Sequence, residues 1–217
     1  MKKYLLPLCY LLVLTTTHTL AENRASIFIS PGISFGHVHT DPDNAGFHSN
    51  SVGFGGKLGA LYDWNIKDNY YLSSGLVFVV QQIGFKNDTE EENKSIVEQH
   101  KIQHLHIPLL VKLYTDELSI DFRCYAVVGL ISAFKVNSWV SHANKPKPFI
   151  TELNVFNLSG HIGIGAEYQL SLSTSVFAGL SYQLGLRTLF AAQRKDPKMP
   201  PLSGYGHIIT LDIGIVV

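Results

Sequence analysis

The segment TSVFAGLSYQLGL, residues 174–186, alternates apolar side chains with small or polar ones. Successive side chains of a β-strand point to opposite faces, so a period of two predicts a strand with one apolar and one polar face. The apolar positions are Val176, Ala178, Leu180, Tyr182, Leu184 and Leu186. The segment is also long enough for the roughly 9–11 residues that a tilted membrane-spanning strand requires.

The same alternation recurs along the chain and predicts about eight strands. It is clear in residues 156–169 and 209–217, and noisier in residues 27–36, 53–64, 71–81, 104–113 and 122–130. The predicted connections alternate between short turns, at residues 64–70, 114–119 and 169–171, and long loops, at residues 38–50, 85–100, 135–152 and 187–204. If consecutive strands are antiparallel neighbours, all long loops lie at one end, as in outer-membrane barrels. The sequence therefore predicts an all-β fold, an eight-stranded antiparallel transmembrane β-barrel with up-and-down topology.

A soluble sandwich or lipocalin-like barrel is the alternative fold. Its apolar face would point inward, and its polar face would be solvated and rich in charge. Here the polar face is rich in Gly and Ser and poor in Lys and Glu, which suits the crowded lumen of a narrow barrel. This composition favours the membrane barrel.

Aromatic side chains near the predicted short turns support the membrane assignment. Tyr and Trp prefer the boundary between hydrocarbon and water, where they form girdles around membrane barrels. The predicted interface aromatics are Tyr62, Trp64, Tyr70, Tyr114 and Tyr168.

The N-terminus carries the features of a secretory signal peptide. Lys2 and Lys3 precede an apolar run over residues 4–14, and small residues surround a predicted cleavage site after Ala21. A membrane anchor would need about 20 apolar residues, which this run lacks. We therefore predict a signal peptide at residues 1–21 and a barrel domain at residues 22–217. With Cys9 in the signal peptide, Cys124 has no partner for an intramolecular disulfide.

The overall charge excludes one class of function. The 217 residues contain 17 basic and 17 acidic side chains. An electrostatic nucleic-acid binder needs a basic surface, so no nucleic-acid partner is expected. Outer-membrane lipids are the expected surroundings of the apolar face.

Eight titratable residues fall on the predicted inner face of the barrel. They are Lys57, Lys112, Arg123, Glu167 and Asp212, with His104, His106 and His161. Because an unpaired charge is costly in a low-dielectric interior, we expect opposite charges to pair across the lumen. An eight-stranded barrel is just wide enough for side chains to fill, which favours a plug over a conducting pore.

Two chemical alternatives are weaker. His104 and His106 lie two residues apart on one face, but hydrogen bonding in the lumen explains them as well as a metal site does, so no metal or cofactor is predicted. Ser159 and His161 share a face with Glu167, as a rim hydrolase would need. Residues two apart on a strand are separated by about 7 Å, which is too far for a direct hydrogen bond. No catalytic residue is predicted.

The stretch QHLHIPLLVK, residues 103–112, resembles the signature strand of the PorT-like family of small outer-membrane β-barrels, common in Bacteroidetes. Gly163, Gly165, Glu167 and Tyr168 also look similar to that family, although the final Val217 departs from the terminal aromatic of many outer-membrane barrels. The resemblance implies the outer membrane of a Gram-negative cell, and for one branch a link to protein secretion. It supplies no catalytic residues.

These observations together predict a non-enzymatic integral outer-membrane barrel with a filled lumen, periplasmic termini and extracellular long loops. Its expected role is structural, or is an interaction with an envelope or secretion-system protein. The alternatives are a secretion-accessory protein, a narrow channel or transporter, or a rim lipid-modifying enzyme.

Overall fold

The computed structural model describes residues 23–40, 47–88, 95–143, 150–193 and 202–217. The predicted signal peptide, residues 1–21, lies outside the described residues. The strands are β1 Arg24–Thr40, β2 Phe47–Lys67, β3 Tyr70–Asp88, β4 Ser95–Tyr114, β5 Phe122–Ala143, β6 Ile150–Leu153, β7 Phe156–Ser171, β8 Thr174–Gly185, β9 Phe190–Gln193 and β10 Leu202–Val216. No helix in the described part of the chain is long and apolar enough to cross a membrane.

Eight of the strands form a closed barrel in the order β1-β10-β8-β7-β5-β4-β3-β2. Every pair is antiparallel, and β1 closes the barrel on β10 from Ser26↔Val216 to Thr40↔Leu202. The predicted eight-stranded up-and-down barrel is therefore confirmed. The short strands β6 and β9, which the sequence pattern did not predict, pair with each other in a separate two-stranded sheet.

The outer face of the barrel carries an apolar band. Large apolar side chains such as Ile27, Phe54 and Ile164 are exposed there, while small and polar side chains of the same strands are buried inside. On β3 and β4 the band gives way to polar side chains at Gln82 and Gln103, and the side-chain amides of Gln82 and Gln99 are hydrogen bonded at 2.8 Å. Both strands continue beyond this pair, so the barrel wall rises past the apolar band at the end with the long connections.

In this raised wall, strands occupy residues that the sequence analysis assigned to long loops. Strand β1 runs to Thr40 and β2 begins at Phe47, inside the predicted loop 38–50. Likewise β3 reaches Asp88 and β4 begins at Ser95, inside the predicted loop 85–100. The prediction was wrong because it relied on apolar alternation, which disappears where neither face contacts hydrocarbon. At the other end two turns are shorter than predicted, since Asp68 and Asn69 join β2 to β3 and residues 172–173 join β7 to β8. The connection between β4 and β5, residues 115–121, is one residue longer than predicted.

Glycine makes room for large side chains in the lumen. A Cβ on Gly165 of β7 would overlap the phenol of Tyr125, and a Cβ on Gly179 of β8 would lie 2.6 Å from its hydroxyl oxygen. Tyr125 is therefore able to lie flat against the neighbouring strands β7 and β8. Its ring belongs to an aromatic cluster with Tyr71 and Tyr114 that occupies the barrel interior.

Candidate functional site

The lumen next to the short turns is organised around the carboxylate of Glu167. This residue lies on β7 and is 2% exposed. Oε1 of Glu167 accepts hydrogen bonds from Nη1 of Arg24 at 2.9 Å and from Nη2 of Arg123 at 3.2 Å. Oε2 accepts a hydrogen bond from the hydroxyl of Tyr114 at 2.5 Å. A buried carboxylate with two cations and a phenol as donors is well compensated, because charge-assisted hydrogen bonds replace the lost water.

A second buried ion pair lies beside it. The ammonium of Lys112 on β4 is 2.6 Å from Oδ2 of Asp63 on β2. The same ammonium lies over the rings of Tyr125 and Phe177, at 5.6 Å and 6.0 Å from their centroids. A cation over an aromatic face gains further electrostatic stabilisation.

The two clusters form one structure, which we call the ionic layer. Its members are Arg24, Asp63, Lys112, Tyr114, Arg123 and Glu167. The ring of Tyr114 connects the clusters, since Arg123 and Lys112 lie 5.0 Å and 5.9 Å from its centroid. The ionic layer therefore joins strands β1, β2, β4, β5 and β7 across the lumen.

A small cavity of about 70 Å³ adjoins the ionic layer. Its polar lining includes Lys57, His106, His161 and Asp212, together with Ser26 and Lys112, and its remaining lining is mostly apolar, including Phe28, Leu61, Val77, Leu110, Val127 and Ile131. Asp212 accepts a hydrogen bond from Thr210 at 2.9 Å, and Nδ1 of His161 has no hydrogen-bond partner within the described ranges. The cavity is larger than the roughly 10–15 Å³ that a single water needs, so it has room for water.

Apolar side chains close the lumen in a second way. Phe28, Val77, Val79 and Ile208 form a buried cluster, which we call the apolar layer. Towards the long connections, the side chain of Leu189 lies inside the barrel near Ile83. Both side chains face Gly206, since a Cβ placed on that glycine would touch both of them. The backbone amide of Leu189 donates to the carbonyl of Gly204 at 2.7 Å, which fixes this inserted segment to β10.

All eight predicted lumenal residues lie inside the barrel. The structure pairs Lys112 with Asp63 and Arg123 with Glu167. Lys57 and Asp212 line the same cavity, but no ion pair joins these two described residues. The rings of His104 and His106 are tilted by 37° with centroids 5.7 Å apart, and no group of three or more potential ligands among the described residues could hold a metal ion.

Sequence reasoning missed three members of the ionic layer. Asp63 lies an even number of residues from the inward-facing Lys57 on β2, so the alternation places it in the lumen. Its role as the ion-pair partner of Lys112 was overlooked. Arg24 lies two residues before the inward-facing Ser26, so it faces inward too. Extending the predicted first strand back to residue 24 would have identified it. Tyr114 was assigned to the wrong face.

Four of the five predicted interface aromatics point outward. Tyr62, Trp64, Tyr70 and Tyr168 are exposed, and Tyr62 packs edge-on against Trp64 with centroids 5.0 Å apart. Tyr114 is a correction, since it is only 7% exposed and hydrogen bonded in the lumen. Tyr114 lies two residues from the inward-facing Lys112 and therefore faces the lumen as well. Its position beside a turn was the wrong reason to place it at the membrane interface.

The residues of the hypothetical rim enzyme also lie in the lumen. Ser159 is 4% exposed, and its neighbour on the same face, His161, lines the internal cavity. Lipid on the outside of the barrel therefore cannot reach this serine. This version of an enzymatic site is wrong.

Comparison with known proteins identifies the class of this barrel. A family described as "Outer membrane protein beta-barrel domain" matches residues 19–191, and the chain belongs to that family. It is accordingly a small outer-membrane β-barrel protein. No curated protein matches the chain by sequence.

Solved outer-membrane barrels have a similar fold. OprG from Pseudomonas aeruginosa matches with a TM-score of 0.52 and 12% identity, over 91% of this chain and 96% of that one. Neisserial surface protein A matches with a TM-score of 0.49 and 11% identity, over 90% and 98% of the two chains. At such identities the likeness to OprG shows the fold alone.

Proposed function

We propose that this protein is a closed, non-enzymatic outer-membrane barrel that serves the cell envelope through the surfaces at its two ends. One observation carries the proposal: charged and apolar layers fill the lumen in succession. Ions crossing the barrel would have to displace the Arg24–Glu167–Arg123 contacts. They would then have to pass the apolar layer, whose four side chains offer a dehydrated ion no ligand.

The orientation is part of the proposal. Outer-membrane barrels have short periplasmic turns and longer extracellular loops. The start of β1 and the end of β10 lie side by side at the short-turn end of the barrel. There Ala25 and Val217 exchange backbone hydrogen bonds at 2.8 Å and 2.7 Å. We therefore propose that the termini face the periplasm and that the raised wall and the β6–β9 sheet project outside the cell.

Planar-bilayer conductance tests the closed lumen. The purified protein, shown to be folded by a heat-dependent shift on a gel, is expected to give no steady single-channel current. Ile208→Ala removes part of the apolar layer, whereas Ile162→Ala removes the same atoms from the outer face. We expect Ile208→Ala to raise the frequency of current events and Ile162→Ala to leave the bilayer silent. Steady currents through the wild-type protein would contradict the proposal.

A narrow channel is the second candidate function. The cavity lined by Lys57, His106, His161 and Asp212 favours it, because polar side chains inside a lumen can hold a water path. Steady wild-type currents that depend on Lys57 or Asp212 would establish this candidate in place of the first.

A further inference from the structure

The short turns carry large apolar side chains that nothing in the barrel covers. Leu172 is 94% exposed at the turn between β7 and β8, and Ile120 is 84% exposed in the connection between β4 and β5. Ile66, Leu118 and Leu170 are also exposed. We call the turn segments 66–69, 115–121 and 170–173 the turn ledge.

The turn ledge lies beyond the aromatic girdle. Tyr and Trp girdles mark the boundary between hydrocarbon and water. Ile66 lies two residues past Trp64, and Leu172 lies four residues past Tyr168. Four residues span about 13 Å along a strand, or about 10 Å along the membrane normal at a typical tilt. We therefore expect the bilayer core to cover Leu180 and Ile164 on the barrel wall and to end before Leu172.

Hydrogen bonds link neighbouring turns to one another. The amide of Asn69 donates from Nδ2 to Oδ1 of Asp116 at 2.9 Å, and the backbone nitrogen of Tyr114 donates to the Asn69 carbonyl at 2.9 Å. The backbone nitrogen of Gln169 donates to the Asp121 carbonyl at 2.8 Å. A surface that is already ordered loses little conformational entropy when a partner binds.

The charge of the turn ledge is one-sided. Asp68, Asp116, Glu117 and Asp121 are exposed, and Lys67 is the single basic residue of the three segments. Arg24 and Arg123, the nearest cations on the barrel strands, point inward to Glu167. Four carboxylates repel anionic lipid headgroups and attract a basic surface.

We infer that the turn ledge is a docking surface for a periplasmic protein segment that presents both basic and apolar side chains. Several exposed apolar side chains on neighbouring turns favour an interaction site, and the surrounding carboxylates specify the charge of the partner. The inference rests on the proposed orientation of the barrel. It does not depend on whether the lumen conducts, so the conductance test and the tests below can fail separately.

Accessibility measurements test whether the ledge is in water. In a Cys9→Ala and Cys124→Ala background, a spin label is placed at residue 172, at residue 120 or at residue 164 of the full chain in phosphatidylcholine nanodiscs. Labels at 172 and 120 are expected to respond to a water-soluble relaxation agent, and the label at 164 to oxygen dissolved in the bilayer. Labels at 172 and 120 that behave like the one at 164 would show that lipid covers the ledge and would overturn the inference.

Binding of a defined probe tests the chemistry of the surface. The probe is a short synthetic peptide of alternating Lys and Leu, and its comparison peptides alternate Lys with Ser or Glu with Leu. Binding to empty nanodiscs is subtracted. The wild-type chain is expected to bind the Lys/Leu peptide more tightly than either comparison peptide, and more weakly as salt is added.

Matched variants assign that binding to the ledge. Replacing Leu118, Ile120 and Leu172 with Ser should weaken binding about tenfold or more, because the apolar area to be buried is lost. Asp116→Asn with Glu117→Gln should weaken it about threefold at low salt while keeping the acceptor for Asn69. Val136→Ser, an exposed apolar position at the opposite end, should leave binding unchanged. Equal binding by all variants, or cross-linking of residue 172 to a second copy of this chain, would overturn the inference.

Discussion

Glu167→Gln is the most direct test of the ionic layer. The substitution keeps the shape of the side chain but removes its charge. Arg24 and Arg123 then face each other across a neutral amide, and Tyr114 loses a charged acceptor. The two guanidinium groups lie on side chains that are only 13% and 18% exposed, so water replaces the lost carboxylate poorly.

The expected cost follows from this burial. Breaking a buried ion pair by removing one partner costs about 3–5 kcal/mol. Because both arginines keep some access to water, we expect the lower end of that range, about 3 kcal/mol. With a urea dependence of about 1–3 kcal/mol per M, the unfolding midpoint should fall by about 1–3 M.

Urea unfolding of the barrel in lipid vesicles, followed by tryptophan fluorescence, measures this change. Glu117→Gln is the matched control, since it removes the same charge from an exposed turn and should change stability by less than about 0.5 kcal/mol. Arg123→Gln combined with Glu167→Gln should cost less than the sum of the single changes, because the two side chains interact directly. A Glu167→Gln midpoint equal to that of Glu117→Gln, or strict additivity with Arg123→Gln, would refute the role assigned to Glu167.

Three further substitutions test other features by the same unfolding assay. Ile164→Lys, on the outer face, should cost about 2–4 kcal/mol if that face contacts hydrocarbon, whereas a water-exposed position would tolerate it. Lys112→Met should destabilise the barrel by leaving Asp63 unpaired, and adding Asp63→Leu should restore much of the loss, so a double variant no better than the single one would count against the pair. Gly165→Ala should cost about 1–3 kcal/mol because its Cβ overlaps the Tyr125 ring, and Tyr125→Ala should reduce the added penalty.

Outward and inward positions were predictable because they depend on a local rule. The period of two continues through residues 174–186 in the structure, where Leu180 points outward and Ser181 inward. The same alternation, applied to each of the other strands, correctly placed Lys57, Lys112 and Glu167 in the lumen. The same rule would have placed Tyr114 inside, but its position beside a turn was given more weight.

Pairing in the lumen was not predictable in the same way. Glu167 contacts residues 143 and 44 positions away in the chain, Arg24 and Arg123. Which cation reaches which carboxylate depends on strand register and tilt, and the alternation carries no information on either. Lys57 and Asp212 illustrate the limit, since both were placed inside but the closed barrel leaves them at the edge of a cavity without an ion pair between them.

The sequence by itself determined the strand faces and the number of barrel strands, because both follow from side-chain alternation along the chain. Closure of the barrel decided the rest. It brought Glu167 to two arginines, carried the strands past the apolar band, and inserted Leu189 into the lumen. These features depend on register between distant strands, and register exists only once the cylinder has formed.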